Sequence, residues 1–332
     1  MRVSVISPFF NEETILERSV LYTYQNLQRL DGDWEWVIVN DGSTDRSLEI
    51  AHALAAKLPR LRVVSYPVQR GRGRALREGI AAAKGDYVVT LEIDSSWADD
   101  IVLRLVDALA RNPKNDVVIA SPHADGGGFA NVPWVRRFYS IVGNQIIRLA
   151  FTKKVTMNTG MTRAYRREVI QHLPLEEDGK EFHLEVLLKL LTLNRKVVEI
   201  PAVLEWKESK LLGPGQQRPK RHDVRGLIYT HMLFSVFANP IRYFWLSAIV
   251  CGVLGSAALA WAVYNFAHGL VGAHLALLAI SLFVAGLSFF GFGIVTSQNR
   301  ALERQIWLLH AELKRGRSFS TISTDHDRQP PS

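Results

Sequence analysis

Along residues 1–204, short apolar runs alternate with stretches whose apolar residues recur at helical spacing. The runs Val3–Ser7, Trp34–Val39, Arg62–Tyr66, Tyr87–Leu91 and Val117–Ala120 read as strands. The segments between them, Glu12–Gln28, Arg46–Leu58, Gly73–Ala83 and Asp99–Arg111, read as helices. Two more strands are predicted at Asn158–Arg163 and Val197–Glu205. Strands that alternate with helices in this way build an α/β domain around a mostly parallel sheet. Phe138–Phe151 also carries apolar residues at helical spacing, suited either to a core face or to a membrane interface.

The pattern changes after Arg242. The next Lys, Arg, Asp or Glu is Arg300, so residues 243–299 form an uncharged run of 57. About 20 apolar residues cross a bilayer. Asn265–Gly272 interrupts the run and leaves two helices of spanning length, near 243–264 and 273–295. Tyr243, Trp245, Trp261 and Tyr264 lie near the ends of the first, as in an aromatic interface belt. A hydrophobic hairpin inside a soluble protein is the alternative, but uncharged stretches of this length are rare outside membranes. Met1–Pro8 is too short an apolar run for a signal peptide and reads as the first strand. The Ser/Thr/Asp/Pro-rich tail after Gly316 reads as disordered.

Composition sharpens this picture. With 48% hydrophobic and 22% charged residues, the 332-residue chain is neither disordered nor collagen-like. Cys251 is the only cysteine, which excludes an internal disulfide and any multi-cysteine metal site. A net charge of +8 suggests nucleic acid until it is placed along the chain. Residues 205–242 hold seven basic and three acidic side chains, and residues 300–317 hold five and two, whereas the loop of the hairpin has no Lys or Arg. The positive-inside rule therefore puts both flanks in the cytoplasm. Basic charge beside a membrane suits anionic head groups rather than a nucleic-acid groove.

Three strand ends carry candidate chemistry, where open α/β sheets bind ligands. Asn40-Asp-Gly-Ser-Thr-Asp45 follows the second strand; an acidic residue there can accept from a base or ribose, and Gly42 permits a sharp turn. A turn with Ser43 or Thr44 capping the next helix is the structural alternative. Arg70-Gly-Arg-Gly-Arg-Ala-Leu-Arg77 offers glycines for close backbone approach and four arginines for a diphosphate, or simply a solvated basic helix start. Its spacing matches neither a Walker loop nor a Rossmann fingerprint. In Leu91-Glu-Ile-Asp-Ser-Ser-Trp97, carboxylates at i and i+2 on a strand end point the same way and can share a divalent cation.

In order and spacing, these motifs resemble glycosyltransferase family 2, and within it the polyprenyl-phosphate (dolichyl-phosphate mannose synthase-like) branch. The string runs from Ser7-Pro-Phe-Phe-Asn-Glu12 through the three motifs above to Asn158-Thr-Gly-Met-Thr-Arg-Ala-Tyr-Arg-Arg167, Phe182-His-Leu-Glu185, Val198-Glu-Ile-Pro201 and Glu208-Ser-Lys-Leu211. The resemblance implies a GT-A nucleotide-diphospho-sugar transferase fold over 1–212, then a basic juxtamembrane segment 213–242, a two-helix transmembrane hairpin within 243–299, and a cytoplasmic helix and disordered tail in 300–332. It implies that Pro8, Asn11 and Glu12 line the nucleotide pocket and that Asp41 holds base or ribose. Asp94 and Glu92 would coordinate Mg2+ or Mn2+, while Arg70, Arg72 and Arg74 hold the diphosphate and Ser209 and Lys210 sit near the phosphates. Phe182 and Glu185 match a segment that shapes the sugar and acceptor side.

Two departures stand out. Glu92 replaces the usual first aspartate of the metal motif, and Ser121-Pro-His-Ala-Asp125 lacks the family's acceptor-phosphate arginine, for which His123, Arg136 or Arg137 can substitute. The implied activity is inverting transfer from a UDP- or GDP-sugar to a polyprenyl phosphate such as undecaprenyl phosphate at a bacterial inner membrane. The partners are then donor, lipid acceptor and membrane, with no nucleic acid and with a homo-oligomer left open. Transfer to a hydroxyl acceptor, and a non-catalytic membrane scaffold of the same fold, are the competing readings. His183 stands alone on its helix and reads as structural.

Overall fold

The protein was described from a computed structural model, which covers residues 1–132, 134, 141, 155–205, 240–270 and 273–326. It divides into two compact units, Met1–Ile228 with Trp307–Ser332, and Tyr229–Ile306.

The first unit is built on a seven-stranded sheet of order β3-β2-β1-β4-β7-β5-β8. Its first five strands are β1 (Arg2–Phe9), β2 (Asp33–Asp41), β3 (Leu61–Tyr66), β4 (Tyr87–Thr90) and β5 (Val117–Ser121), each within two residues of the sequence-based limits. The connecting helices are α1 (Leu16–Leu27), α2 (Ser47–Lys57), α3 (Arg72–Ala82) and α4 (Ile101–Ala110). β1 pairs in parallel with β2 and β4, and β2 with β3, as crossover connections through helices allow. Near-continuous apolar strands follow from a sheet covered on both faces: Val3, Val5, Val37, Ile38, Val88 and Val118 are fully buried. Gly79 lets α3 lie directly on the sheet, since a Cβ there would stand 2.3 Å from Ile6 Cγ2 and 3.0 Å from Val39 Cγ2.

Two sequence-based strands come out differently. The strand expected at Asn158–Arg163 begins only at Arg163, as β7 (Arg163–Arg166), antiparallel between β4 and β5. The reason is Arg163 itself, whose fully buried guanidinium takes the carbonyls of Asn158 (2.6 Å), Gly160 (2.8 Å) and His183 (3.0 Å) away from any ladder. After β7 come α5 (Arg167–Ile170) and α6 (Phe182–Thr192). The strand expected over Val197–Glu205 splits at Ala202 into β8 (Val197–Pro201), parallel to β5, and β9 (Val203–Glu205), which pairs with the short β6 (Gly128–Ala130). Pro201 has no N–H to extend the ladder, and the Ala202 carbonyl accepts from Gly128 instead.

The second unit holds α7 (Pro240–Ala267) and part of α8 (Ala273–His326). Both helices are long and apolar enough to cross a membrane. Gly255 faces Phe283, Gly286 faces Cys251, and Gly293 faces Trp245, so the pair is antiparallel and closes at its small residues. Ser256, Ser281, Ser288 and Thr296 each donate to the carbonyl four residues back, leaving no hydroxyl of theirs unmet in apolar surroundings. The break falls at Gly269, with φ +72°. The disordered tail expected after Gly316 is helical as far as His326, because extending an established helix adds a hydrogen bond per residue.

Gly79→Ala is expected to destabilise the protein by about 1–2 kcal/mol net, because overpacking outweighs the gain in helix propensity. A thermal melt in detergent should show a midpoint lower by several degrees; an unchanged midpoint would mean that α3 can shift off the sheet.

Candidate active site

The C-terminal edge of the sheet gathers the loops after β1, β2, β3 and β4. Pro8 is buried within β1. Beyond it Asn11 adopts φ +51°, and its backbone N–H donates to Ser43 Oγ (2.9 Å) while its side-chain oxygen accepts from the Thr44 N–H (2.8 Å). Asn11 thereby stitches the loop after β1 to the loop after β2. The buried Glu12 donates its N–H to Ser47 Oγ at 2.7 Å, and its carbonyl opens the turn into α1. The first N–H of α2, that of Ser47, is met by Asp45 at 3.0 Å rather than by Ser43 or Thr44. Gly42 makes the sharp turn expected of it, with φ +66° and the Gln69 backbone where a Cβ would be.

Asp41 is 3% exposed, and its carboxylate is filled from within the protein. Oδ1 accepts from Tyr66 Oη (2.6 Å) and from the N–H groups of Arg70 (2.9 Å) and Gly71 (3.0 Å), the last shared with Oδ2. In this structure the residue expected against base or ribose anchors the arginine loop. Burial and the Asp41 hydrogen bond push the Tyr66 phenol well above its usual range.

The glycines of that loop also serve the protein itself. A Cβ on Gly71 would lie 2.4 Å from the Asp178 carbonyl oxygen, and one on Gly73 would lie 2.6 Å from that of Glu177. Asp178 O accepts from the N–H groups of Gly73 (2.8 Å) and Arg74 (3.2 Å), so the start of α3 is closed by the 176–179 loop rather than open to a diphosphate. Asp178 also pairs with Arg77, and Arg74 pairs with Glu78 at 2.5 Å. Glu185, expected on the sugar and acceptor side, holds this loop: it accepts from the N–H groups of Glu176 and Glu177 (both 3.0 Å) and from the Lys189 ammonium (2.6 Å). Phe182 is fully buried.

Arg72 is the arginine that feels the charge of the acid motif. Its side chain is accessible, yet the protein around it lowers its pKa by desolvation, which Glu92, Glu181 and Asp94 oppose by attraction. The acids lie in a turn just past β4, not on the strand, so the alternation rule does not align them. They are set by separate hydrogen bonds instead. Glu92 Oε2 accepts from Trp97 Nε1 (2.9 Å) and from the Thr162 hydroxyl, and Asp94 Oδ1 accepts from the Ser96 hydroxyl. Desolvation pushes the Glu92 carboxyl up, the Thr162 bond pulls it back, and the Asp94 charge adds to the rise. His183 is fully buried beside this cluster, its pKa driven well below the ordinary value by desolvation and by the charges of Arg72 and Arg163.

The Glycosyl transferase family 2 model matches residues 4–173, which is half of the chain and contains the motifs from Ser7 to Arg167. The chain belongs to glycosyltransferase family 2. Dolichol-phosphate mannosyltransferase of Pyrococcus furiosus is 31% identical over 218 residues, 64% of this chain and 60% of that one. Undecaprenyl-phosphate 4-deoxy-4-formamido-L-arabinose transferase of Sodalis glossinidius is 25% identical over 300 residues, 89% and 87% of the two chains. Among solved structures, glucosyl-3-phosphoglycerate synthase of Mycobacterium tuberculosis, in complex with Mn2+, UDP and phosphoglyceric acid, shares the fold at 23% identity, with a TM-score of 0.51 over 71% of this chain and 78% of that one. The GT-A fold is thereby established.

For this family 2 chain, the structure brings Arg72, Glu92 and Asp94 together and ties Asn11 and Asp41 into the loops around them. Arg136, Ser209 and Lys210, together with Arg137, Phe138–Phe151 and Arg218–Arg225, lie outside the described residues, Ile141 excepted. Glu181, Thr162 and Trp97 were not singled out from sequence. Their signal is weak, because each reaches the site only through the tertiary fold.

Asp41→Asn keeps an oxygen for Tyr66, Arg70 and Gly71 but removes the charge that strengthens those bonds. It also turns an NH2 group toward the Gly71 N–H on the Oδ2 side, at about 1–3 kcal/mol in all. Hydrogen exchange at Arg70 and Gly71 should quicken roughly 10- to 100-fold; unchanged exchange would mean that the loop is held elsewhere. Because folding lowers the His183 pKa, its neutral form is favoured natively and stability is lost as pH falls below the unfolded value of about 6.5. Replacing His183 with leucine should remove up to about 1.4 kcal/mol per pH unit of that acid sensitivity, measured by melts between pH 5 and 7.

Proposed function

We propose that this chain is a membrane-anchored, inverting glycosyltransferase that moves a sugar from a UDP- or GDP-sugar to a polyprenyl phosphate such as undecaprenyl phosphate. The observation that carries the reading is the cluster of Arg72, Glu92, Asp94 and Glu181 at the C-terminal edge of a family 2 sheet. Relatives named for dolichol-phosphate and undecaprenyl-phosphate transfer support the acceptor class, and the two apolar helices supply the membrane anchor such an acceptor needs. The segments 1–212, 213–242, 243–299 and 300–332, with both termini cytoplasmic at a bacterial inner membrane, complete the reading.

A lipid monophosphate is already an anion near neutral pH, so it needs no strong base. Its oxygen forms the new bond to the anomeric carbon as the bond to the nucleoside diphosphate breaks, and the electron pair leaves with the diphosphate. The protein must align the two in line, stabilise the departing charge and exclude water. Arg72 is assigned to that charge, since a guanidinium can hold phosphate oxygens by two parallel bonds. Arg74 is already paired with Glu78, so Arg70 and Arg72 are assigned the larger share. Arg136 and Lys210 are assigned to the acceptor phosphate, and Ser209 to the donor phosphates.

The acid pair fits a divalent cation. Mg2+ is usually held by one or two carboxylates together with substrate phosphates, and no group of three or more His, Cys, Asp or Glu stands ready to hold a metal among the described residues. The hydrogen bonds from Thr162 and Trp97 both fall on Glu92 Oε2, which fixes that carboxylate. Asp94 and Glu92 would hold Mg2+ or Mn2+, and the ion would supply positive charge to the donor diphosphate. The Mycobacterium synthase of the same fold is solved with Mn2+ and UDP.

Protein purified in detergent should label undecaprenyl phosphate from one of a panel of radiolabelled UDP- and GDP-sugars with Mg2+ or Mn2+. Asp94→Asn should lower transfer at least ~100-fold, the scale of removing one electrostatic stabiliser. Label on a lipid hydroxyl instead would favour the hydroxyl-acceptor reading. No transfer and no nucleotide binding by calorimetry would favour a scaffold.

A further inference from the structure

Among the described residues, four other than glycine have a positive φ. Three of them, Asn11, Asn131 and Asn194, are asparagine, a residue type that tolerates this conformation. The fourth is Ser95, at φ +53°, directly after Asp94. Strain of this kind persists only where the surroundings impose it, and it gathers at functional sites.

What imposes it is a single contact. Leu91, Ile93, Ser95 and Trp97 form the inward side of the acid turn, each at most 8% exposed, and Ser95 alone among them is not a large apolar residue. Its hydroxyl shares a 2.8 Å hydrogen bond with the hydroxyl of Thr23, which α1 buries against the turn. Packing does not replace that bond, because a cavity of about 30 Å³ borders Thr23, Ser95 and Trp97 and leaves the turn room to shift. Glycine would take this φ without strain but has nothing to offer Thr23.

Both acids are tied to the residues that follow Ser95. The Ser96 hydroxyl donates to Asp94, and Trp97 Nε1 donates to Glu92 at 2.9 Å. Ser96 and Trp97 are in turn docked on β9, by the Glu205 N–H on the Ser96 carbonyl (2.8 Å) and by a backbone bridge between Trp97 and Leu204. The dihedral at Ser95 therefore sets where Asp94 stands relative to a Glu92 that is held from the far end of the same turn.

We propose that Ser95 and Thr23 are positioning residues, whose hydrogen bond holds the acid turn in its left-handed kink and so keeps Asp94 and Glu92 in register for one divalent cation. This rests on the reading of the two acids as the metal site. The pair acts through the acids and does not touch the ion.

Mn2+ binding to detergent-purified full-length protein separates the outcomes. It is followed by the electron paramagnetic resonance signal of the free ion, with UDP or GDP present and protein-free nucleotide as the baseline. Thr23→Val, which keeps the shape and removes the hydroxyl, should bind Mn2+ roughly 3- to 10-fold more weakly, the worth of one hydrogen bond. Thr23→Ser, which keeps the hydroxyl, should bind it as wild type does. Ser95→Gly takes the kink without strain but lacks the hydroxyl, so it should show a similar loss, and it carries the comparison if the valine variant misfolds. Combining Thr23→Val with Ser95→Gly should add little, since both remove the same bond. A lower thermal midpoint with unchanged Mn2+ binding in both single variants would make the pair a brace of the fold alone and overturn the proposal. A loss that Thr23→Ser shares, or losses that add in the double variant, would also overturn it. Wild type that takes up no Mn2+ would instead remove the metal reading of the acids, and the proposal with it.

Discussion

The donors at the start of α3 govern the site. A helix begins with N–H groups that have no partner inside the helix, and such groups in a cleft must be met by protein, water or ligand. Here Asp41 takes those of Arg70 and Gly71, and the Asp178 carbonyl takes those of Gly73 and Arg74. Two loops far apart in sequence therefore converge on five residues, and Arg72 sits at their centre. With the backbone already satisfied, what remains to face a ligand is side-chain charge. The same two loops are braced from behind, by Tyr66 on Asp41 and by the buried Glu185–Lys189 pair on the 176–179 segment.

A second brace reaches the acids. Arg163 spends its guanidinium on three carbonyls, which delays β7 and leaves Thr162 just before the strand, where its hydroxyl reaches Glu92. β7 runs antiparallel between β4 and β5, so one short strand joins the acid turn to the far half of the sheet. The carbonyl it captures at His183 extends that connection to α6. Acid turn, arginine loop and the start of α6 thus form one electrostatic neighbourhood, although α6 begins about 90 residues beyond the acid turn in the chain.

Much of this was legible beforehand. Apolar runs such as Trp34–Val39 announce buried parallel strands because both faces of the sheet are covered, and the uncharged stretch 243–299 announces membrane-length helices by its extent alone. The motif order led to the family. Partnership was harder to read. Gly71 and Gly73 advertise a close backbone approach, but nothing local says whether the approaching atom belongs to a phosphate or to Asp178. Asp41 is likewise a strong acceptor whose partners come from a loop 25 to 30 residues on. The break at Ala202 and the antiparallel β7 depend on which neighbour a strand finds, a property of the whole sheet.

The contact between Gly71, Gly73 and the 177–179 backbone has an evolutionary corollary. Loops between a strand and a helix usually tolerate insertion, but this one is measured against another loop about 100 residues away, with no side chain between them to absorb a change. A methyl group on either glycine, or one extra residue near Asp178, would displace both partners together. Drift at these two places should therefore be correlated, and homologues that alter one should carry a compensating change in the other.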